Sequence, residues 1–209
     1  MNILAIGAHP DDIEIGCGGT LLKYARAGHH VHLMILTDGA HKGDSDVRRN
    51  EQLASSRILE TQGIFWGGYR DTELPVAREV IQKIEDIVKK VSPAFIFVNY
   101  LDDTHQDHRH LATCTVTATR YTRNVLFYET PTTQNFLPTV YVDIDGLLED
   151  KVRCLEAHAS QIGRTNVEGV SILEVARASA HFRGLQGRVR SAEAFAALRL
   201  FINVWDNPR

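Results

Sequence analysis

A polar segment near the N-terminus carries four side chains that could bind a cation. His9, Asp11, Asp12 and Glu14 lie within six positions of one another. Carboxylates this close repel one another unless a positive group lies between them. The segment is therefore either a solvated turn, in which Pro10 fixes the bend and an aspartate caps the following helix, or a site for a metal ion.

A second polar segment, "THQDHRH", carries His105, Asp107 and His108. Each polar segment follows an apolar run typical of a buried parallel strand, "NILAIGA" for the first and "AFIFVNY" for the second. In open α/β sheets, sites lie outside the carboxyl ends of the strands. We therefore expect the two segments to meet at one edge of the sheet.

The residue types of the two segments suit zinc, which binds imidazole nitrogen and carboxylate oxygen. A catalytic zinc site uses about three protein ligands and keeps one position for water, whose pKa falls to about 7. A carboxylate that is not a ligand can take a proton from that water, and a second histidine can polarise the reacting oxygen. We expect Asp11 and Asp12 to divide these tasks, one binding the metal and the other facing the water. Fe²⁺ or another divalent metal could use similar ligands.

Strand-like and helix-like segments alternate along the chain. Apolar runs predict strands in "NILAIGA", "VHLMILT", "AFIFVNY", "VLFYE" and "TVYVDI", and "IFWGGYRD" is interpreted as a short strand and a loop. Helical spacing is found in "GGTLLKYARAGH", "VRRNEQLASSRILETQG", "PVAREVIQKIEDIVKKV", "LATCTVTATRYT", "GLLEDKVRCLEAHASQ" and "SAEAFAALRLFI". This alternation predicts an α/β fold with a mostly parallel sheet flanked by helices. Because no repeat or linker interrupts it, we expect residues 1–209 to form a single domain.

Composition excludes several classes of protein. The 209 residues are 44% hydrophobic, which is ordinary for a soluble domain, and the net charge of −3 argues against a nucleic-acid partner. No apolar run reaches the length of a membrane span, and no signal peptide is evident. The three cysteines, Cys17, Cys114 and Cys154, are too widely spaced for a disulfide framework or a CxxC zinc site. We expect a cytoplasmic protein without an integral membrane segment.

The two polar segments together resemble the motifs of a known family. "AHPDDIEIGCGGTL" and "THQDHRH" resemble segments of the PIG-L/LmbE family of zinc-dependent N-deacetylases, and the resemblance covers nearly the whole chain. It implies a Rossmann-like α/β domain, a Zn²⁺ cofactor and a small-molecule N-acetyl sugar substrate. It also implies hydrolysis of the N-acetyl group by an activated water, and assembly as a homo-oligomer.

The resemblance implies a role for each residue of these motifs. Asp11 matches the general base, His105 the histidine that assists at the carbonyl oxygen, and Asp107 a carboxylate that orients a histidine. The implied zinc ligands are His9, Asp12 and His108.

Two further segments resemble elements of the same family. "RRNE" resembles its RxxE element, which implies that Arg48 contacts substrate hydroxyls and that Glu51 supports it. "AHASQ" resembles its HxSQ element, which either packs near the site or contacts substrate; its residues are His158, Ser160 and Gln161. Ser191 departs from the family, because many relatives carry an aromatic residue there. This departure and the short chain leave the identity of the substrate open.

Two other functions remain open at this point. The glycines of "GCGG" could cradle a phosphate at a helix N-terminus, which would suit a binding module for a nucleotide or sugar nucleotide. The GxGxxG spacing is absent, however, so we interpret "GCGG" as a turn that lets a helix pack closely against the sheet. Alternatively, the zinc site could act on a non-sugar amide. His41 could approach the site, but no partner lies at ligand spacing from it.

Overall fold

The computed structural model describes residues 1–40 and 44–202, so His41 lies outside the described residues. The strands are β1 (Asn2–Gly7), β2 (His30–Thr37), β3 (Gly63–Tyr69), β4 (Phe95–Asn99), β5 (Val125–Tyr128), β6 (Val140–Asp143) and β7 (Ala192–Arg199). The helices are α1 (Asp12–Arg26), α2 (Ser45–Ile58), α3 (Arg78–Val91), α4 (Gln106–Ala118), α5 (Leu148–Glu156) and α6 (Ile172–Gly187). A short 3₁₀ turn, Ala159–Gln161, lies between α5 and α6.

One sheet contains all seven of these strands, in the order β3-β2-β1-β4-β5-β7-β6. β1 lies between β2 and β4 and is parallel to both, with Ile3 beside Val31 and Ile6 beside Val98. β7 runs antiparallel to its neighbours β5 and β6. The predicted α/β fold with a mostly parallel sheet is confirmed. Because β1 and β4 are adjacent and parallel, the segments that follow them start at the same edge.

Both faces of the sheet are covered by apolar layers, as expected for parallel strands. Leu4 and Ile6 of β1 belong to a buried cluster with side chains of α3 and α4. Ile3 and Ala5, which alternate with them, belong to a second cluster with side chains of α1 and α5. This sandwich holds the end of β1, and with it the first polar segment, in a fixed position.

The predicted helix "SAEAFAALRLFI" is wrong, because Ala192–Arg199 forms strand β7. Alanine and leucine favour helices, but pairing with two neighbouring strands overrides that intrinsic preference. Strand pairing buries Phe195 fully in the core, where its ring centroid lies 5.1 Å from that of Phe97. The sequence prediction also lacks helix α6. Its N-cap residue Ser171 and Glu174 in its first turn form a capping box.

Helix α4 begins earlier than predicted. The sequence predicts a start at Leu111, but Asp107 and His108 already lie in the first turn of the helix. His105 is the N-cap residue, and its side chain accepts a hydrogen bond from the Asp107 backbone N–H. Helix α1 likewise begins at Asp12, several residues before the predicted start at Gly18. Several of the candidate site residues are therefore fixed by helical backbone rather than by loops.

Candidate active site

The two polar segments meet at the carboxyl edge of β1 and β4, as the sequence predicts. His9 Nδ1 lies 3.2 Å from His108 Nε2. Asn99, the last residue of β4, joins the two strands here because its Oδ1 accepts hydrogen bonds from the Ala8 backbone N–H at 3.1 Å and from the Tyr128 hydroxyl at 3.0 Å.

Three potential ligand atoms converge at this point. Asp12 Oδ2 lies 3.4 Å from His9 Nδ1 and 3.2 Å from His108 Nε2. With the 3.2 Å between the two histidine nitrogens, the three atoms form a nearly equilateral triangle. All three residues are buried. His9 lies in the β1–α1 connection, Asp12 is the first residue of α1, and His108 lies in the first turn of α4.

Neighbouring carboxylates determine which ring nitrogen of His9 and of His108 carries the hydrogen. The other nitrogen of each ring, which faces the triangle, is then unprotonated. His9 Nε2 lies 3.1 Å from Asp71 Oδ1 and 3.2 Å from Asp107 Oδ2, so in the neutral ring this nitrogen carries the hydrogen. His108 Nδ1 lies 3.0 Å from Asp103 Oδ2 and carries the hydrogen of its ring for the same reason. Neutral His9 and His108 therefore direct unprotonated nitrogens at each other and at Asp12.

Such a convergence of lone pairs requires a positive species, and its dimensions suit zinc. Zinc–ligand distances of about 2.0–2.1 Å in a tetrahedral site separate the ligand atoms by about 3.3 Å, close to the separations observed. A proton can take the place of the metal. Burial lowers the pKa of His108, but the Asp12 charge and the Asp103 hydrogen bond outweigh burial and raise it to about 9. His105 also contributes a nitrogen within 4.8 Å of ligand atoms of His9 and His108.

Asp11 lies beside this triangle in an unusual backbone conformation. Its φ of 95° is left-handed, and it is the N-cap residue of α1. Its backbone N–H donates to Gln52 Oε1 at 3.2 Å, and Arg48 Nη1 donates to its Oδ2 at 3.2 Å. Burial raises the pKa of the Asp11 carboxyl; the Arg48 charge opposes this, and the net shift is upward. Because Arg48 Nη2 also donates to the carbonyl oxygen of Pro10 at 2.5 Å, the guanidinium holds this turn from two sides.

His105 lies at the edge of the same cluster, with its ring centroid 4.4 Å from that of His9. Its Nδ1 accepts the Asp107 backbone N–H at 3.3 Å, so in the neutral ring Nε2 carries the hydrogen and is a donor. Burial lowers the pKa of His105, and the nearby His9 and His108 lower it further. The neutral form, with one donor, is therefore favoured.

The structure adds carboxylates that the sequence interpretation did not single out. Asp71 reaches His9 from the end of β3, and Asp103 reaches His108 from the start of the segment after β4. Thr130 and Thr133 also donate to Asp103 Oδ2, at 3.1 and 2.9 Å. A signal existed for Asp103, which follows the predicted parallel strand "AFIFVNY" at its carboxyl end.

The residues of the two further family elements lie around the site with different contacts. His158 is buried, with Nε2 3.5 Å from Glu14 Oε1. The same Glu14 oxygen accepts Gln52 Nε2 at 2.6 Å, so this group braces α1 against α2 beneath Asp11. Glu51 accepts hydrogen bonds from the backbone N–H and the hydroxyl of Ser160, both at 2.7 Å. His158 thus packs beneath the site, and Glu51 holds the 3₁₀ turn.

The glycines of "GCGG" lie inside helix α1 rather than at a phosphate-binding turn. Gly16, Gly18 and Gly19 are all buried. A Cβ at Gly16 would lie 2.1 Å from the Tyr128 ring, and one at Gly19 would lie 2.9 Å from Ile144 Cγ2. The glycines therefore let the helix pack closely against its neighbours, and the geometry does not support the phosphate-cradle alternative.

The cluster opens into one cavity of about 520 Å³. Its inner lining includes His9, Asp11, Asp12, Arg48, His105 and His108. Gln161 and Arg164, from the segment after α5, line the same cavity. A small molecule that enters it can therefore contact the triangle, Asp11 and Arg48 together.

The fold and the cluster define the class of protein: a Rossmann-like α/β protein whose potential metal ligands lie together at the carboxyl edge of its sheet. A model of the PIG-L family, described as GlcNAc-PI de-N-acetylase, matches residues 4–119. The chain belongs to the PIG-L family, as its motifs predicted.

The relatives named below are deacetylases, which hydrolyse amide bonds. The chain is 32% identical over 167 residues to an uncharacterized deacetylase, YaiS, of Escherichia coli, covering 76% of this chain and 90% of the relative. It is 30% identical over 190 residues to diacetylchitobiose deacetylase of Thermococcus kodakarensis. That match covers 76% of this chain and 69% of the relative. The solved structure of N,N'-diacetylchitobiose deacetylase from Pyrococcus horikoshii, in complex with an inhibitor, matches this fold with a TM-score of 0.82 at 29% sequence identity. The match covers 94% of this chain and 83% of the solved chain.

Proposed function

We propose that this protein is a zinc-dependent N-deacetylase that removes the acetyl group from a small N-acetylated amino sugar or its conjugate. The observation that carries the proposal is the convergence of three lone pairs, from His9, Asp12 and His108, beside the Asp11 carboxylate. Deacetylases among the relatives support the reaction, and two diacetylchitobiose deacetylases support the sugar.

The metal would be held by His9 Nδ1, Asp12 Oδ2 and His108 Nε2. When bound in such a site, zinc acts as a Lewis acid and lowers the pKa of water to about 7. Two imidazoles and one carboxylate form a ligand set that suits zinc, and Fe²⁺ is the alternative that the same set accepts. Asp107 and Asp71 keep the Nε2 hydrogen on His9, and Asp103 keeps the Nδ1 hydrogen on His108, so that the ligating nitrogens stay bare.

Asp11 takes the proton from the attacking water as the water oxygen bonds to the amide carbon. Its raised pKa makes it a stronger base than an exposed aspartate, and Arg48 fixes the position of its carboxylate. The same proton then passes to the amine as the C–N bond breaks. The products are acetate and the free amino sugar.

His105 stabilises the negative charge that develops on the carbonyl oxygen. Its neutral ring keeps a hydrogen on Nε2, because Nδ1 accepts the Asp107 backbone N–H. Arg48, with its guanidinium at the cavity, binds sugar hydroxyls.

Amine release from a panel of N-acetylated compounds tests the function. The panel contains simple amino sugars, their glycosides, nucleotide-linked forms and a non-sugar N-acetyl amide, each with zinc-loaded and chelator-treated protein. We expect chelator-sensitive release from an amino sugar class. Release from the non-sugar amide alone would contradict the sugar assignment and support the alternative amide substrate.

The variant Asp11→Asn tests the base. We expect it to keep zinc but to lose about 10²–10⁴-fold in kcat, because a neutral amide cannot accept the proton. Asp46→Asn, which removes an exposed carboxylate, is the matched control and should keep wild-type kcat. A near-normal kcat for Asp11→Asn with zinc bound would show that another group is the base.

The proposal extends to location and assembly. We propose a cytoplasmic protein that forms a homo-oligomer, as the family resemblance implies. No helix within residues 1–40 and 44–202 is long and apolar enough to cross a membrane. Sedimentation velocity of the purified protein measures the assembly, and a single species at the mass of one chain would contradict it.

A further inference from the structure

Four aliphatic side chains from the segment before α6 and from α6 itself line the active-site cavity. Val167, Val170, Ile172 and Val175 line the same cavity as His9 and Asp11, and we call these four residues the apolar ledge. Val167 is 60% exposed and Val170 is 36% exposed. Isolated exposed valines are ordinary, but these four aliphatic side chains line the same cavity as the candidate metal ligands, where a bound ligand would meet them.

The backbone that carries the ledge is held by its own hydrogen bonds. The Thr165 hydroxyl donates to the Val170 carbonyl oxygen at 2.7 Å and accepts the Val167 backbone N–H at 3.2 Å. The Ile172 backbone N–H donates to the Ile162 carbonyl oxygen at 2.9 Å, which closes the loop at its base. The capping box at the start of α6 fixes the next residues. The ledge is therefore formed before a ligand enters.

We propose that the substrate carries an apolar group, alkyl or aryl, that lies on the apolar ledge while the amino sugar lies at the metal ligands. This inference rests on the proposed deacetylase function and specifies its substrate class. A pyranose offers only a small C–H face and the acetyl methyl group to aliphatic side chains. An alkyl or aryl group offers more apolar surface, and each methylene that leaves water there strengthens binding by up to about fourfold. The apolar group belongs either to the aglycone or to the N-acyl chain.

Matched substrates distinguish the two sources. The compounds are the methyl and hexyl β-glycosides of N-acetylglucosamine, and the methyl glycoside of N-hexanoylglucosamine, all below their micellar concentrations. We expect kcat/KM for one hexyl-bearing compound to exceed that for the methyl N-acetyl glycoside by about tenfold or more. Preference for the hexyl glycoside assigns the ledge to the aglycone, and preference for the hexanoyl amide assigns it to the acyl chain. Equal or lower kcat/KM for both would overturn the inference and leave the deacetylase function standing.

A triple variant tests the ledge itself. Val167→Thr, Val170→Thr and Val175→Thr together keep the branched shape of each side chain and add hydroxyls to the surface. We expect the ratio of kcat/KM between the preferred hexyl compound and the methyl compound to fall to about one third or less. Val76→Thr is the control, because Val76 is 53% exposed and does not line this cavity; it should keep the wild-type ratio. An unchanged ratio in the triple variant would overturn the assignment to these residues.

Binding supplies a readout that does not depend on turnover. Calorimetry of wild-type protein with methyl and hexyl glucosaminide, and with hexanoate and acetate, compares the apolar groups on product-like molecules. Tighter binding of a hexyl or hexanoyl member, lost in the triple variant and kept in Val76→Thr, supports the ledge even if no panel compound is hydrolysed. In that case the proposed function fails and the apolar subsite stands. Equal affinities within both pairs would overturn the subsite.

Discussion

At the scale of single residues, the candidate metal site depends on hydrogen bonds one step away from the three ligand atoms. His108 offers Nε2 to the site because Asp103 accepts from Nδ1 at 3.0 Å. Asp103 is itself held, since its Oδ1 accepts the His105 backbone N–H at 2.8 Å. A carboxylate in this position fixes the ring orientation and raises the basicity of the ligating nitrogen. Asp103 should therefore control metal affinity without touching the metal.

The first prediction concerns Asp103→Asn, which keeps an oxygen acceptor but removes the charge. We expect zinc affinity to fall by about 10–100-fold, as measured by competition with a chromophoric chelator. Asp102→Asn is the matched control, because Asp102 is the neighbouring aspartate and is exposed, and its carboxylate accepts a hydrogen bond from Asn135 Nδ2 rather than from a residue of the cluster. Equal zinc affinity in the Asp103 variant and the control would refute this role.

The sequence predicted the three residues whose ligand atoms converge, but it did not predict every carboxylate that hydrogen-bonds to them. His9, Asp12 and His108 stand in two short motifs, so their types and spacing are visible without a fold. Asp71 is far from both motifs in sequence and reaches His9 only because β3 ends at the same edge of the sheet. Its role depends on strand order, which local patterns do not encode.

At the scale of elements, helix α1 contains a kink that a buried ion pair stabilises. Cys17 has non-helical dihedrals, with φ at −145°, so the N–H groups that follow lose their usual helical acceptors. Glu193 accepts from the backbone N–H of Gly19 at 2.9 Å and of Thr20 at 2.7 Å. Lys151 Nζ donates to Glu193 at 2.6 Å and balances its charge. The kink therefore fits α1 to the sheet without leaving buried donors unpaired.

The second prediction tests this close packing with two glycines of one helix. Gly16→Ala would place a Cβ 2.1 Å from the Tyr128 ring, so the helix must move, and we expect a loss of about 1–3 kcal/mol of unfolding free energy. Gly18→Ala would place its Cβ at an ordinary 3.6 Å from Lys151 Cγ and should be neutral or stabilising by up to about 1 kcal/mol. Urea unfolding of both variants measures the difference. Equal stabilities would show that Gly16 is not a packing requirement.

Errors in the predicted elements have a common physical origin. "AFAALR" has helical composition, yet β7 forms because it fills the gap between β5 and β6, a long-range effect that local propensity does not contain. The predicted helix lacks the polar start of α4, because the apolar spacing begins only at Leu111. His105 caps that helix with its imidazole, which is not one of the usual capping residues. Because the first residues of α4 are polar site residues, the hydrophobic pattern does not show where this helix begins.

At the scale of the whole molecule, the metal would connect parts of the chain that are distant in sequence. His9 and His108 are 99 positions apart and approach within 3.2 Å only in the folded chain. A ligand that binds the folded state and not the unfolded one stabilises the fold by mass action.

The third prediction is that zinc raises thermal stability. At free zinc about 100 times the dissociation constant, we expect about 2.7 kcal/mol of stabilisation and a Tm higher by about 5–10 °C. His108→Ala should abolish most of this shift, whereas His30→Ala, which removes an exposed imidazole, should retain it. A full zinc-dependent shift in His108→Ala would remove His108 from the ligand set.

The last prediction concerns protons that the metal must displace from the folded protein. Without metal, the pKa of His108 is about 9, and the pKa of His9 is raised well above 6.5, because neighbouring aspartates outweigh the effect of burial. His108 therefore holds a proton at pH 7 that is lost as pH rises through about 9, and the raised pKa of His9 acts in the same direction. Since zinc binds only the neutral imidazole, its apparent affinity should increase with pH by about tenfold or more per unit between pH 6 and 8, and level off above about pH 9.

Calorimetry in buffers of different ionisation enthalpy counts these protons directly. We expect release of at least one proton per zinc at pH 7, and fewer in His108→Ala if that variant retains any binding. A zinc affinity that is flat from pH 6 to pH 8, with no proton release, would mean that the cluster binds metal through groups other than these two histidines. The same result would contradict the explanation that Asp12, beside the facing nitrogens of His9 and His108, raises the pKa values of both histidines.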